Sequence, residues 1–291
     1  KQFTLYNYRE TPITISSVNF ITASFTTDAS FPMTIAPLET GNIYIDINNS
    51  TTGTVNDNME IMSVELPQGL SVGLSGTGVE GNVLTGNLSG TYPVAIYRIS
   101  GDLTIAEGDI VYLDAGTQFL FDAGVNFNIY GTLKAIGAES DSIIFDNYGD
   151  ERWGGFTLDN VSDATEFSYI RISGATKPHG GGMSLFSSNP TLTHVTISNN
   201  TTNSWGGGSG GGMRLSYSNP TLTHVTISNN TTPYDGGGMR LNYSNPTLTH
   251  VTISGNTADD GGGMYFKGSN PTLTHVTITG NTADWGGGMY L

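Results

Sequence analysis

From residue 181 onward the apolar positions recur in one fixed pattern. The segment Asn-Pro-Thr-Leu-Thr-His-Val-Thr-Ile occupies residues 189–197, 219–227, 245–253 and 270–278. Gly-Gly-Gly-Met returns with it, ending at Met183, Met213, Met239, Met264 and Met289. Successive prolines Pro190, Pro220, Pro246 and Pro271 stand 30, 26 and 25 residues apart. A fixed period in this range marks a stacked repeat architecture. In Met213-Arg-Leu215 the apolar residues alternate with a polar one, as in a strand with one buried face. Leu222 and the pair Val225/Ile227 differ in parity, so the chain bends near His224 between two short strands. Pro220 sits where a strand begins and no N–H is needed, and Asn219 before it is pushed extended. The glycine triplet is read as supplying backbone conformations closed to β-branched residues. One repeat is therefore three short strands and three turns. Its apolar set, Met239, Leu241, Leu248, Val251 and Ile253 in one copy, does not offset the entropy of ordering a lone coil. Coils must stack, at about 4.8 Å each, and roughly eight of them give a rod about 40 Å long.

The first 79 residues have a different texture. Alternating β-type runs at residues 3–6, 13–18, 33–35, 43–47, 61–66 and 70–74 are separated by the turn-formers Pro12, Asp28, Gly41, Asn48-Asn49 and Pro67-Gln-Gly69. Several short strands at this spacing predict a β-sandwich. The domain plan is thus residues 1–79 and residues 80–291, with regular repeats from about residue 181 and an irregular start before it.

Composition narrows the chemistry. The 291-residue chain carries 25 acidic and 10 basic residues, a net charge of −15. That argues against binding a nucleic-acid backbone and suits a soluble secreted protein or cation binding. There is no cysteine, so disulfides, thiolate metal sites and cysteine nucleophiles are excluded. No apolar run approaches the roughly 18 residues of a membrane span, so direct insertion is not expected. The chain begins at Lys1, which reads as a processed product or a fragment.

Two resemblances follow from particular residues. Phe3-Thr-Leu-Tyr-Asn7, Pro12-Ile-Thr-Ile-Ser16, Thr34-Ile-Ala-Pro37 and Leu74-Ser-Gly-Thr-Gly78 resemble the immunoglobulin-like repeats of the ASH/HYDIN type found in bacterial surface proteins. Such modules have a strand before the Phe-x-Leu-x-Asn segment, which this chain starts too late to supply. Gly101-Asp-Leu-Thr-Ile-Ala-Glu-Gly108, Gly131-Thr-Leu-Lys-Ala-Ile-Gly137 and Ile143-Ile-Phe145 followed by Trp153-Gly-Gly-Phe156, with the repeats after them, resemble secreted bacterial right-handed parallel β-helix proteins of the pectin-lyase-like fold. The resemblance implies an all-β protein: an immunoglobulin-like β-sandwich, then a right-handed parallel β-helix of about eight coils.

Stacking turns each repeated residue into a ladder. Asn200, Asn230, Asn256 and Asn281 make an amide ladder, expected to hydrogen-bond along the axis. His194, His224, His250 and His275 make an imidazole ladder, read as structural, with transition-metal binding as the alternative. Asp235, Asp259, Asp260 and Asp284 fall just before the glycine triplets. Stacked carboxylates there are either solvated turns or ligands of Ca²⁺, the one cofactor the sequence suggests. The Thr-x-Thr pairs, such as Thr221/Thr223 and Thr247/Thr249, are similar to the flat faces of β-helical ice-binding proteins, yet Thr is also a plain outward strand residue. Trp205, Trp285, Tyr217, Tyr234, Tyr243 and Tyr265 lie at or near turns, where aromatic rings can stack on sugars or on a protein partner.

Enzymatic motifs are broken. Polygalacturonases carry Asn-Thr-Asp, Asp-Asp, Gly-His-Gly and Arg-Ile-Lys in that order. Here Arg171-Ile-Ser173, His179-Gly180 and Asp259-Asp260 come in the reverse order and two motifs are incomplete. Lys177, Arg171, Arg214, Arg240 and Lys267 form no recognisable lyase constellation in the sequence. The reading is a non-catalytic structural or adhesion protein, secreted or on the cell surface, forming a rod or fibre subunit. The alternative is a polysaccharide-binding or polysaccharide-degrading β-helix. The strand Met289-Tyr290-Leu291 with no cap after it, and the sandwich edge, lead to the expectation of head-to-tail self-association or of flanking domains in the same chain.

Overall fold

The structure is a computed structural model and describes residues 2–22, 24–47, 53–78, 82–203 and 208–291. The predicted turn Asn48-Asn49 and the aromatic Trp205 lie outside these residues. The chain divides into two compact units, Lys1–Glu80 and Gly81–Leu291. All regular elements are β-strands.

The first unit has two antiparallel sheets, consistent with an immunoglobulin-like part. One orders Gln2–Tyr6, Thr40–Ile47 and Phe25–Thr27; the other orders Met33–Ile35, Ile13–Phe20, Gly53–Ser63 and Leu66–Gly78. Alternating residues of both sheets, among them Ile15, Phe25, Ile35, Ile43, Met59 and Ile61, form one buried cluster. Asn7 of the Phe-Thr-Leu-Tyr-Asn segment is buried and donates to the carbonyls of Thr11, Ile35 and Ala36, fastening the segment to the neighbouring loop.

Two expected turns are displaced. The run at residues 61–66 is broken by a turn at Val64 and Glu65, while Pro67-Gln-Gly69 lies inside the strand Leu66–Gly78. The Glu65 carboxylate makes that turn. It accepts from the Ser63 hydroxyl and the Thr14 N–H. Pro67 is tolerated because its strand is at the sheet edge. Gly41 likewise lies in a strand, where a Cβ would stand 2.7 Å from Ile35 Cδ1.

The second unit is a parallel β-solenoid of about eight coils. One line of paired residues runs through Tyr97, Phe119, Phe145, Ile172, Ile197, Ile227, Ile253 and Ile278. A second runs through Leu103, Phe127, Phe156, Met183, Met213, Met239, Met264 and Met289. A third joins Leu113, Ala135, Phe167, Leu192, Leu222, Leu248 and Leu273. These lines face one continuous apolar core. In a regular coil, Met239, Leu241, Leu248, Val251 and Ile253 are fully buried. The earlier coils fill the same space with rings: Phe121 stacks on Trp153 at 4.2 Å between centroids, and Phe145 meets Phe156 edge-on at 4.9 Å.

Each regular coil has four left-handed corners. In the coil that carries Pro246 they are Gly236, Tyr243, His250 and Gly255, with φ of 70°, 48°, 53° and 65°. The bend expected near His224 is such a corner, at φ 53°, and His and Asn tolerate it better than most residues. The glycine triplet works differently from the conformational reading given above. Only its first member has positive φ. The third, Gly238, is required by contact, since a Cβ there would stand 2.6 Å from Gly263 O of the next coil.

Met239→Ala or Leu248→Ala should therefore cost about 2–5 kcal/mol from the lost transfer energy and the cavity left behind. Thr249→Ala, on the outer side of the same strand as Leu248, should cost under about 1 kcal/mol. Urea denaturation measures both, and equal losses would mean the two faces are exchanged.

Candidate functional site

The ladders show which polar groups are already committed. Asn200 accepts nothing from its own coil; its N–H and its amide nitrogen both donate to Asn230 Oδ1, at 3.0 and 3.1 Å. Asn230 does the same to Asn256, and Asn256 to Asn281. Each amide nitrogen also donates to a carbonyl of the previous coil, as Asn256 does to Ile227 O at 3.0 Å. Every hydrogen-bonding position of the buried Asn230 and Asn256 amides is thus spent along the axis.

The four histidines stack face to face, with centroids 4.8–4.9 Å apart and planes within 4–6°. Tyr169 continues the stack beyond His194 at 4.5 Å. Ring nitrogen lone pairs lie in the ring plane, and these planes are parallel and separate. Neighbouring rings in this stack do not converge on one ion at metal–nitrogen distances of about 2.0–2.1 Å.

Two ladders escape the sequence reading. Ser218 N–H donates to Ser244 Oγ and Ser244 N–H to Ser269 Oγ, while each hydroxyl donates to the carbonyl two residues back. The neighbouring asparagines repeat the arrangement on the outside, Asn245 N–H donating to Asn219 Oδ1 at 2.6 Å. The Ser-Asn-Pro turn is copied because each copy supplies acceptors for the N–H groups of the copy before or after it. The signal was present in the sequence as a Ser before each of the four Asn-Pro pairs.

The four aspartates do not form one ladder. Asp235 pairs with Asp260, and Asp260 with Trp285. Asp259 belongs to the adjacent line, where its carbonyl accepts from Asp284 N–H at 2.9 Å. Asp235 is engaged by Arg240, Nη1 to Oδ2 at 3.1 Å.

That ion pair belongs to a face where the copies differ. The outward residue of the Gly-Gly-Gly-Met strand is Ser184, Arg214, Arg240, Tyr265 and Tyr290 in successive coils, paired in that order. The residue before the glycines is His179, Ser209, Asp235, Asp260 and Trp285, also paired in order. The two lines flank the same four-residue Gly-Gly-Gly-Met stretch, so they run side by side. Lys177 joins them, its amine donating to Phe156 O at 3.0 Å and Thr157 Oγ1 at 2.6 Å. The structure therefore brings together Lys177, Arg214 and Arg240, which had no recognisable grouping in the sequence. Arg171 lies elsewhere, on the line Ile144–Arg171–Thr196.

The electrostatics of this face are strained. Burial pushes the Lys177 amine down to about 8. Burial and the charges of Arg214, Arg240 and Lys177 lower the His179 imidazole. Burial and the adjacent Arg240 lower Arg214. Burial raises the Asp235 carboxyl, with Arg240 opposing and Asp260 and Asp259 adding to the rise. Among the described residues, the buried side-chain atoms left without a hydrogen-bond partner are Arg214 Nε, Arg240 Nε and Asp260 Oδ1. All three belong to this face. Tyr265 stacks in register on Tyr290 at 5.3 Å, and the Arg240 guanidinium lies 5.4 Å from the Tyr265 ring centre.

Residues 154–291 match the family model described as a right handed beta helix region. The chain is accordingly an all-β protein whose second unit is a right-handed parallel β-helix built of repeats. Comparison with curated proteins and with solved structures found no match.

Asn256→Ala strands the Asn230 N–H and the Ile227 carbonyl in the core, and should cost about 2–6 kcal/mol at about 1–3 kcal/mol for each buried group. Asn219→Ala, on the exposed outer ladder, should cost under about 1 kcal/mol. A pH dependence follows from Lys177. Its folded pKa, about 8, lies below the 10.5 of the free amine. Between those values the unfolded chain binds more protons, so stability rises with pH. The wild-type chain should gain on Lys177→Met between about pH 8 and 10.5 in denaturation curves. A flat difference would show an amine at its ordinary value.

Proposed function

We propose that the protein is a non-catalytic structural and adhesion protein acting outside the cell, a stiff rod or fibre subunit that presents one contact face. The observation that carries this reading is the division of every coil into copied and varied positions. The copied inward and corner residues are spent on the core and on hydrogen bonds between coils. Among the varied ones, the lines Ser184 to Tyr290 and His179 to Trp285 lie together, joined by the Asp235–Arg240 ion pair. An N-terminal immunoglobulin-like module fits the same role as a spacer, in keeping with the two antiparallel sheets seen there.

Retention of polysaccharide-coated beads by the immobilised chain tests the reading. Replacing Arg214, Arg240 and Tyr265 with Ser should abolish most retention. Replacing the exposed Thr221, Thr247 and Thr272 with Ser should leave it intact. Equal retention by both variants would remove the varied face from the function.

A second reading, polysaccharide cleavage, is favoured by one feature: an amine of lowered pKa at Lys177, two residues from His179. Depolymerisation of acidic polysaccharides, with and without Ca²⁺, measures it. Cleavage that is lost in Lys177→Met would displace the non-catalytic reading. Calcium is also tested by melting, since a ligand bound only to the folded state raises Tm by mass action. A rise in millimolar Ca²⁺ over chelator, lost in Asp284→Asn, assigns the ion to the Asp259–Asp284 pair. Equal melting removes it.

A further inference from the structure

The outward threonines are more uniform than the fold requires. Thr191, Thr221, Thr247 and Thr272 are paired in one line, and Thr193, Thr223, Thr249 and Thr274 in a second. A third line, Thr196 to Thr277, runs beyond the His corner. All three are threonine in every repeat. Copying alone does not account for this. In the same repeats the outward residue after Met has changed from Ser184 to Arg214, Arg240 and Tyr265. Hydrogen bonding does not account for it either. Threonines that serve the fold are buried and bonded, as Thr202 Oγ1 is to Thr232 Oγ1 at 2.6 Å. The hydroxyls of the first two lines make no hydrogen bond among the described residues, and Thr221, Thr247 and Thr272 are exposed. The strip is also without charge. Residues 188–202, 218–232, 244–257 and 269–282 hold no Asp, Glu, Lys or Arg, in a chain with 25 acidic and 10 basic residues. The His stack closes one side of it, with rings 4.8–4.9 Å apart, and the exposed Tyr217–Tyr243 stack closes the other.

We propose that this strip is a surface for lateral pairing with a second copy of the chain, the two solenoids side by side with threonine lines facing threonine lines. Charge selects that occupant. At a net charge of −15, two copies repel through most of their surfaces, and they approach without opposing like charges only where neither carries any. The centres of protein interfaces are depleted in charge in the same way. Period selects it again. The rungs repeat at about 4.8 Å, and a second solenoid has the same spacing, so hydroxyl meets hydroxyl along the whole strip. An irregular protein surface would meet only one or two rungs. A hydroxyl both donates and accepts, so a threonine line complements itself, as a two-fold contact requires. Four coils and a strip roughly 20 Å wide give roughly 400 Å² per copy, about half of a standard interface. The pair is therefore weak and exchanging, and it strengthens with the number of repeats. The contact face of the adhesion reading lies on other strands, so the pairing goes beyond that reading and does not depend on it.

Sedimentation equilibrium of the full chain from about 10 μM to about 1 mM, the range of weak association, tests this. The average mass should rise toward that of two chains. It should rise further as salt is added, since salt screens the repulsion between the acidic remainders. Thr223→Lys with Thr249→Lys sets like charges against each other in the pair while lowering the net negative charge. It should weaken pairing about tenfold or more. Asn128→Lys with Ser184→Lys adds the same charge on the line of the Gly-Gly-Gly-Met strand and should pair as wild type does. Both variants should keep the wild-type Tm at low concentration, and the salt response of the wild-type chain tests the proposal independently of them. The proposal is overturned if the wild-type chain stays a monomer, if added salt separates the pair, if the threonine variant pairs undiminished, or if the control variant loses pairing as well. A monomeric chain that instead slows ice growth would assign the strip to ordered water. Pairing without bead retention would leave this inference standing and sink the adhesion role. Retention without pairing would do the reverse.

Discussion

Every coil of the solenoid depends on its neighbours for its hydrogen bonds. A coil closes no ladder within itself; the N–H of Met239 reaches Gly263 O, and the N–H of Thr252 reaches Val225 O. Backbone groups buried without partners are costly, so the distance between coils is set by the hydrogen bond and not by side-chain size. The two later glycines of each triplet follow from this. They lie where the backbones of neighbouring coils come closest, and a Cβ on Gly238 would occupy the space of the carbonyl on Gly263. The methionine after the triplet then enters the core at the same height in each coil.

Side chains take up the same axial spacing. The Asn200–Asn281 amides, the Ser218–Ser269 hydroxyls and the His194–His275 rings each interact one coil up or down. A residue in such a ladder is constrained by its copies, because replacing one strands two neighbours. Near-identity of the repeats is thus a physical requirement at these positions. It is also why the amide and hydroxyl ladders offer little to a ligand: their donors and acceptors are already matched within the solenoid.

The strands and inward residues of the regular coils were legible because period and parity depend only on local sequence. Met213, Leu215, Leu222, Val225 and Ile227 alternate or break parity where the chain alternates or bends. The ring-filled coils before them were less so, since Phe119, Phe145 and Phe156 meet only through register across irregular spacings. The turn at Val64 and Glu65 was missed because it is held by a contact with Thr14, far away in sequence. The role of the later glycines was missed for the same reason, as their neighbours belong to another coil. Of the candidate site, the aspartates and aromatic residues were visible as types. The pairing of Arg214 with Arg240 was not, since it follows from strand register, although the changing residue between Met and Leu in each copy was there to be seen.

Copying and variation are two sides of one constraint. Inward positions are held by the core and corner positions by the ladders, so substitution is least costly at outward strand positions that hydrogen-bond to nothing along the axis. The residue after each Met is one of these, and so is the residue before each glycine triplet. Variation there leaves the backbone register intact: Ser184, Arg214, Arg240 and Tyr265 pair in the same frame as the methionines beside them. Yet a plain solvent face would not place two guanidiniums in direct register with their Nε atoms buried. Glutamine or threonine would satisfy the strand at lower electrostatic cost.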